Sequence, residues 1–200
     1  MKIQYLGHAC FKIISTGGEL VIDPYKDGSV DGLAPLRETA DKVICTHQHA
    51  DHSGTECIEL SGNACNLEVT EIASWHDDQQ GALRGPNTMF VIEGEGLRLA
   101  HLGDLGCALD DTQKAQLANL DVLMLPVGGY FTIDARQAAA IAKELRPKYI
   151  IPMHYRGDGF GYSVLATVDD FLAEFESFER VGNIISVGEQ NGGVLVLSFR

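Results

Sequence analysis

"KVICTHQHADHSG", residues 42–54, sets three histidines and an aspartate within six positions, directly behind a short apolar run. The apolar run reads as a short buried strand, and Ser53-Gly54 reads as the turn that ends the stretch. In an extended chain the side chains at i and i+2 point to the same side. His47 and His49 therefore converge, as two imidazoles holding one cation must. If the chain turns after them, Asp51 and His52 are directed elsewhere and can serve a second cation nearby. The alternative is a solvated histidine-rich loop or a set of helix caps. Four ionisable side chains packed this closely behind a strand favour the metal reading.

The rest of the chain bounds what such a site could serve. At 200 residues a single domain spanning residues 1–200 is expected, large enough to bury roughly 70% of its unfolded surface. The formal charge is −13, which disfavours nucleic acid and anionic membrane as partners, because phosphate binding needs a basic footprint. A small-molecule substrate is expected instead. Oligomeric state is left open by the sequence. The five cysteines form no C-x-x-C pair and read as reduced thiols packed as small hydrophobes. With no signal-peptide pattern at "MKIQYLGHACFKI" and no apolar run near membrane-spanning length, a soluble cytoplasmic protein is expected.

Periodicity gives a coarse order of elements. "KIQYL", "FKII" and "ELVID" are short β-rich runs separated by turn chemistry, and residues 25–41 read as a surface loop. "NLEVTEIAS", "NTMFVIEGEGLRLAHLG" and "DVLMLPVGG" supply further strands, with a hairpin across "GEG". "DARQAAAIAKELRP" carries a helical apolar face and stops at Pro147, and a shorter helix is expected in "DDTQKAQLANL". "TVDDFLAEFESFERVG" predicts a helix capped by Thr167, with Phe171, Leu172, Phe175 and Phe178 on one face. "NIISVG" and "GVLVLSF" read as a closing hairpin around "EQNG". Strands with helices between and after them predict a layered α/β protein with mixed sheets.

The H-x-H-x-D-H pattern resembles the signature of the metallo-β-lactamase superfamily, and further segments match in the usual order. "LVIDP" matches an early strand ending at Asp23, "SWHDD" offers His76, "HLGDLG" offers Asp104 and "IIPMHY" offers His154. "LGHACFKI", "PVGGYF" and "IIPMHY" look most like the small bacterial branch that includes ascorbate-phosphate lactonase-like hydrolases. The resemblance implies a four-layer αβ/βα sandwich (α/β, or α+β) with two mixed β-sheets and the site at one edge between them. It also implies that His47, His49 and His76 hold one metal, that Asp51, His52 and His154 hold the other, and that Asp104 bridges. Catalysis would fall to Asp51, His52 and Asp104. Asp23 would accept the free N–H of a ligand histidine and fix its tautomer. His8 and Arg84 are candidates for substrate contact, Arg84 because its fork suits a phosphate or carboxylate. His101 reads as structural, and Cys107 as a packed thiol rather than a soft ligand.

Histidine and carboxylate ligands without thiolates suit two divalent ions, Zn²⁺ first, with Mn²⁺ or Fe²⁺ as alternatives. Such a pair acidifies a bridging water to hydroxide at neutral pH. Two dications set against Asp51, Asp104 and that hydroxide leave a small net positive charge in an otherwise acidic protein. The expected activity is therefore metal-dependent hydrolysis of a small anionic substrate, ester or lactone first and phosphoester second. Two alternatives are an RNA-processing type of nuclease or phosphodiesterase and a non-catalytic, metal-binding regulatory module. The acid balance opposes the first, and the filled ligand positions oppose the second. The flavin-coupled diiron relatives have a glutamate at the second position of the central motif, where this chain has His49.

Overall fold

The computed structural model describes residues 1–199, and its architecture follows from which face of each strand is apolar. The first half runs β1 (Lys2–Gly7), β2 (Cys10–Ser15), β3 (Gly18–Ile22), β4 (Glu38–Ala40) and β5 (Lys42–Ile44). A 3₁₀ turn (Thr55–Cys57), β6 (Ile58–Leu60), β7 (Glu68–Trp75), β8 (Pro86–Gly94) and β9 (Leu97–His101) follow. The second half comprises α1 (Asp111–Gln116), β10 (Val122–Pro126), α2 (Ala135–Leu145), β11 (Tyr149–Met153) and α3 (Asp169–Leu172). The last strands are β12 (Phe178–Val181), β13 (Ile184–Ser186) and β14 (Gly193–Leu197).

These strands form a five-stranded sheet, β13-β1-β2-β3-β5, and a seven-stranded sheet, β12-β14-β11-β10-β9-β8-β7. Both are mixed: β3 and β5 are parallel beside antiparallel β1–β2–β3, and β9 to β11 are parallel beside the β7–β8–β9 meander. Their facing sides make one apolar cluster. Ile3, Tyr5, Phe11, Ile13, Leu20 and Ile22 of the first sheet meet Ile92, Leu99, Met124, Ile151 and Leu195 of the second. The outer face of the larger sheet, including Val91, Leu123, Leu125 and Val196, is covered by Ala138, Ala142, Phe171 and Leu172 of the helices. The smaller sheet is covered differently. Leu6, Cys10 and Val21 pack under Tyr25, Val30 and Leu36 of a loop, together with Ala40 and Ile58 of the small β4–β6 pair. The fourth layer is thus loop and short strand in place of long helix.

The hairpin at residues 94–97 and the helices α1 and α2 lie where periodicity places them. Each helix opens on a capping box, with Asp110 and Gln113 at α1 and Asp134 and Gln137 at α2. Pro152 lies in the interior of the larger sheet, but pairing of β11 with β14 covers only Tyr149 and Ile150. Its missing N–H therefore falls beyond the end of that ladder.

Three expectations are overturned. The predicted helix over 167–182 lasts only Asp169–Leu172, with Val168 rather than Thr167 at its start, and residues 178–181 are a strand. The aromatic spacing fits a helix, but Phe178–Val181 pairs in parallel with β14 at the sheet edge, and tertiary pairing outweighs a weak local preference. The predicted closing hairpin is two strands in different sheets: β13 pairs with β1, and β14 with β11 and β12. β5 is also half-buried rather than buried and ends at Ile44, so His47 and His49 sit on a loop.

Candidate metal centre

Every motif residue stands just past the C-terminal end of a strand. His8 follows β1, Asp23 follows β3 and residues 46–52 follow β5, all from the smaller sheet. His76 follows β7, Asp104 lies just beyond β9 and His154 follows β11, from the larger sheet. The strand ends hold these residues rigidly, and sharp bends turn them inward. His8, Asp23 and His154 adopt left-handed backbone angles (φ 57°, 50° and 52°), a conformation uncommon outside glycine that concentrates at functional sites. Gly103 also has positive φ (55°), and a Cβ there would lie 2.4 Å from Asn87 Oδ1 and 2.7 Å from Thr46. Only glycine lets the chain carry Asp104 this close to the central loop.

Hydrogen-bond direction fixes how the imidazoles present themselves. Asp23 accepts from Thr46 N (2.6 Å) and Thr46 Oγ1 (2.7 Å), and its Oδ2 lies 2.8 Å from His52 Nδ1. A carboxylate only accepts, so His52 Nδ1 carries the hydrogen. Thr46 Oγ1 has given its one hydrogen to Asp23, so His47 Nδ1, 3.0 Å away, must donate to it. His76 Nδ1 lies 3.1 Å from the Phe131 carbonyl and donates likewise. In their neutral forms all three present an Nε2 lone pair inward. His101 is fixed from both sides, Nε2 donating to Ala9 O (2.9 Å) and Nδ1 accepting from Gly103 N (3.1 Å). It is structural.

Those inward nitrogens, joined by Nε2 of His154, converge on Asp104. Its Oδ2 lies 3.1 Å from His76 Nε2 and 3.2 Å from His154 Nε2, and its Oδ1 lies 3.2 Å from His52 Nε2. Yet Nε2 of His47, His52 and His154 and Oδ1 of Asp104 are buried without a hydrogen bond. Lone pairs facing a carboxylate repel, and buried polar atoms left unpaired are costly, so the arrangement fits a cation between them. Three overlapping groups could hold one: His47, His49 and His76; His8, Asp51, His52 and His154; and His47, His52 and Asp104. In each the ligand atoms lie within 4.8 Å of one another.

Without a metal, protonation of His52 answers part of the same demand for positive charge. Burial, reinforced by neighbouring histidines, lowers His47 to about 3 and His8 to about 4. Burial would lower His52 too, but Asp104 and Asp23 outweigh it and hold its pKa well above the usual value. Burial would raise Asp104 and Asp51, but adjacent histidines hold both below the ordinary carboxylate range. The site therefore keeps its carboxylates ionised and has a strong demand for positive charge.

A cavity of about 230 Å³ opens onto this cluster, lined by His49, Asp51, His76, Asp104, Arg84, Phe131 and Tyr162. Arg84 stacks 5.6 Å over the Phe131 ring and donates to Tyr130 O (3.2 Å). Its loop is clamped by Asp77, which accepts backbone hydrogen bonds from Gln79, Gly81, Leu83 and Arg84 at 2.7–3.0 Å. His8 is fully buried, packs edge-on against Tyr162 and meets Asp51. Cys107 packs against the outer core.

Sequence reasoning missed the cavity wall formed by Phe131 and Tyr162, and the clamps Thr46, Asp77 and Asn87. Asn87 Oδ1 accepts from Asp104 N (2.9 Å). The glycines of "GDGFGY" just after His154 were the available signal that a wall-forming loop follows that strand.

Residues 2–154 match the family described as the beta-lactamase superfamily domain. A UPF0173 metal-dependent hydrolase of Hyperthermus butylicus is 30% identical, covering 76% of this chain and 82% of that protein. A solved structure from Thermotoga maritima, described as a candidate Zn-dependent hydrolase of the metallo-β-lactamase superfamily, is 35% identical. It covers 98% of this chain and 97% of its own, with a TM-score of 0.79. Human tRNase Z, short form, shares the fold at 12% identity, a TM-score of 0.54, and coverage of 77% and 92%.

Proposed function

Because the chain belongs to the metallo-β-lactamase superfamily of metal-dependent hydrolases, we propose that it is a two-metal enzyme cleaving a small anionic ester or lactone, with phosphoesters second. His47, His49 and His76 would hold one ion, Asp51, His52 and His154 the other, and Asp104 both. The observation that carries this reading is the pair of buried, unpartnered Nε2 atoms on His47 and His52, turned inward because Thr46 and Asp23 engage the Nδ1 atoms. Zn²⁺ is the first choice for this nitrogen and oxygen ligand set. Bound divalent ions would supply Lewis acidity and a nucleophile at neutral pH.

The chain's own residues supply the rest. Arg84 offers a guanidinium held over Phe131 in the cavity lining, where it can meet an anionic group. Asp23 and Thr46 keep His52 and His47 in one tautomer. The cavity of about 230 Å³ favours a compact substrate.

The test is metal analysis of purified protein, followed by hydrolysis of ester, lactone and phosphodiester reporters with and without chelator. Two equivalents of metal and chelator-sensitive turnover of the anionic ester or lactone are expected. Turnover of phosphodiesters alone would shift the reading to a phosphodiesterase. Two metals with no turnover of any class would indicate a metal-binding module.

A further inference from the structure

We propose that His8 is a positioning residue that holds the Asp51 carboxylate in the one orientation a second cation needs. The inference rests on the two-metal reading above.

His8 is immobilised from every side. Its backbone is left-handed, and its carbonyl accepts from both Tyr5 Oη (3.0 Å) and His154 N (2.9 Å). Its ring packs 4.1 Å from that of His154, 5.5 Å edge-on to Tyr162 and 5.6 Å edge-on to His52. No part of it is exposed. Such a ring cannot swing out, and its Nε2 lies 3.1 Å from Asp51 Oδ2.

The direction of that bond follows from chemistry. Asp51 only accepts, so Nε2 carries the hydrogen and Nδ1 carries a lone pair. Nδ1 is buried with no partner. The opposite tautomer would bury the Nδ1–H without an acceptor, whereas His47, His52 and His76 each have one for theirs. The ring is thus a donor aimed at Asp51.

Asp51 needs one. Its side chain is 13% exposed, against 0% for His52 and 1% for His154 in the same group, and it lies on a turn rather than a strand. A carboxylate on a turn has more rotamer freedom to lose than an imidazole packed at a strand end, and losing it when metal arrives costs affinity. A buried donor that freezes it beforehand removes that cost. Partners of this kind are worth about 10–100-fold in metal affinity.

The experiment titrates metal-free wild type, His8→Asn and His8→Gln with Co²⁺, following the absorbance of coordinated Co²⁺ under chelator competition. Asn suits the left-handed backbone, but its amide stops short of Asp51. Gln places its amide nitrogen near the position of the imidazole Nε2. Wild type is expected to take two equivalents. In His8→Asn the first should bind as in wild type and the second about 10–100-fold more weakly, and His8→Gln should recover most of that loss. Melting temperatures of the metal-free proteins provide the folding control. An Asn variant that binds both equivalents like wild type would overturn the proposal. So would parallel weakening of both equivalents with a lowered melting temperature in Asn and Gln alike, which marks a merely structural histidine. A single equivalent in wild type would defeat the two-metal reading, and this inference with it.

Discussion

Asp23 commits both carboxylate oxygens to the central loop, and that makes it a sensitive residue although it faces no cavity. In Asp23→Asn one oxygen becomes an NH₂ that must confront Thr46 or the His52 Nδ1–H. Metal affinity should fall about 10–100-fold, read by chelator competition, and an unchanged affinity would show that His52 needs no such orientation. Arg84→Gln should weaken KM for an anionic ester by about 10-fold or more, the scale of a hydrogen bond between charged groups, and leave a neutral ester of the same size unaffected. Equal effects on the two esters would remove Arg84 from substrate recognition. At this scale the centre was legible early. His47, His49, Asp51, His52, His76, Asp104 and His154 lie together as the motif order implied. Thr46, Asn87 and Phe131 were not legible, since they act through a hydroxyl, an amide and a backbone carbonyl that no spacing rule singles out.

Among the elements, the loop clamped by Asp77 carries the clearest pH signature. Burial would raise this carboxyl, but the backbone N–H groups of Arg84, Gln79, Leu83 and Gly81 outweigh it and hold the pKa below its usual value of 3.8. A depressed folded-state pKa stabilises above the unfolded value and loses that contribution as pH falls through the folded one. The melting-temperature gap between wild type and Asp77→Asn should therefore be constant near neutrality and shrink as pH drops below about 4. A gap independent of pH would refute it. At α2, Asp134→Ala removes a capping box and should cost about 1 kcal/mol in denaturant unfolding. Elements with strong local signals, such as α2 and the hairpin at residues 94–97, were readable in the sequence. The last two strands were readable as strands, but their pairing and the end of the helix begun near residue 169 were not, because both depend on edge pairing with distant strands, which local periodicity cannot report.

At the scale of the molecule, two sheets each supply half of the centre. Metal at 100 times its dissociation constant should stabilise the fold by about 2.7 kcal/mol, so chelation should lower the melting temperature, and addition of Zn²⁺ should restore it. The charge of −13 predicts no shift of a transfer RNA in a native gel at physiological salt. Retardation there would reopen the nuclease alternative. No helix among the described residues is long and apolar enough to cross a membrane.

The division of β13 and β14 between sheets has a mechanical consequence. Residues 187–192 form a short tether across the sandwich, and a cation gripped from both sides would act as a rivet at the opposite rim. Any breathing motion that parts the layers must shear that rivet first. The rate at which a bound ion escapes to a strong scavenger would then time the opening of the whole sandwich.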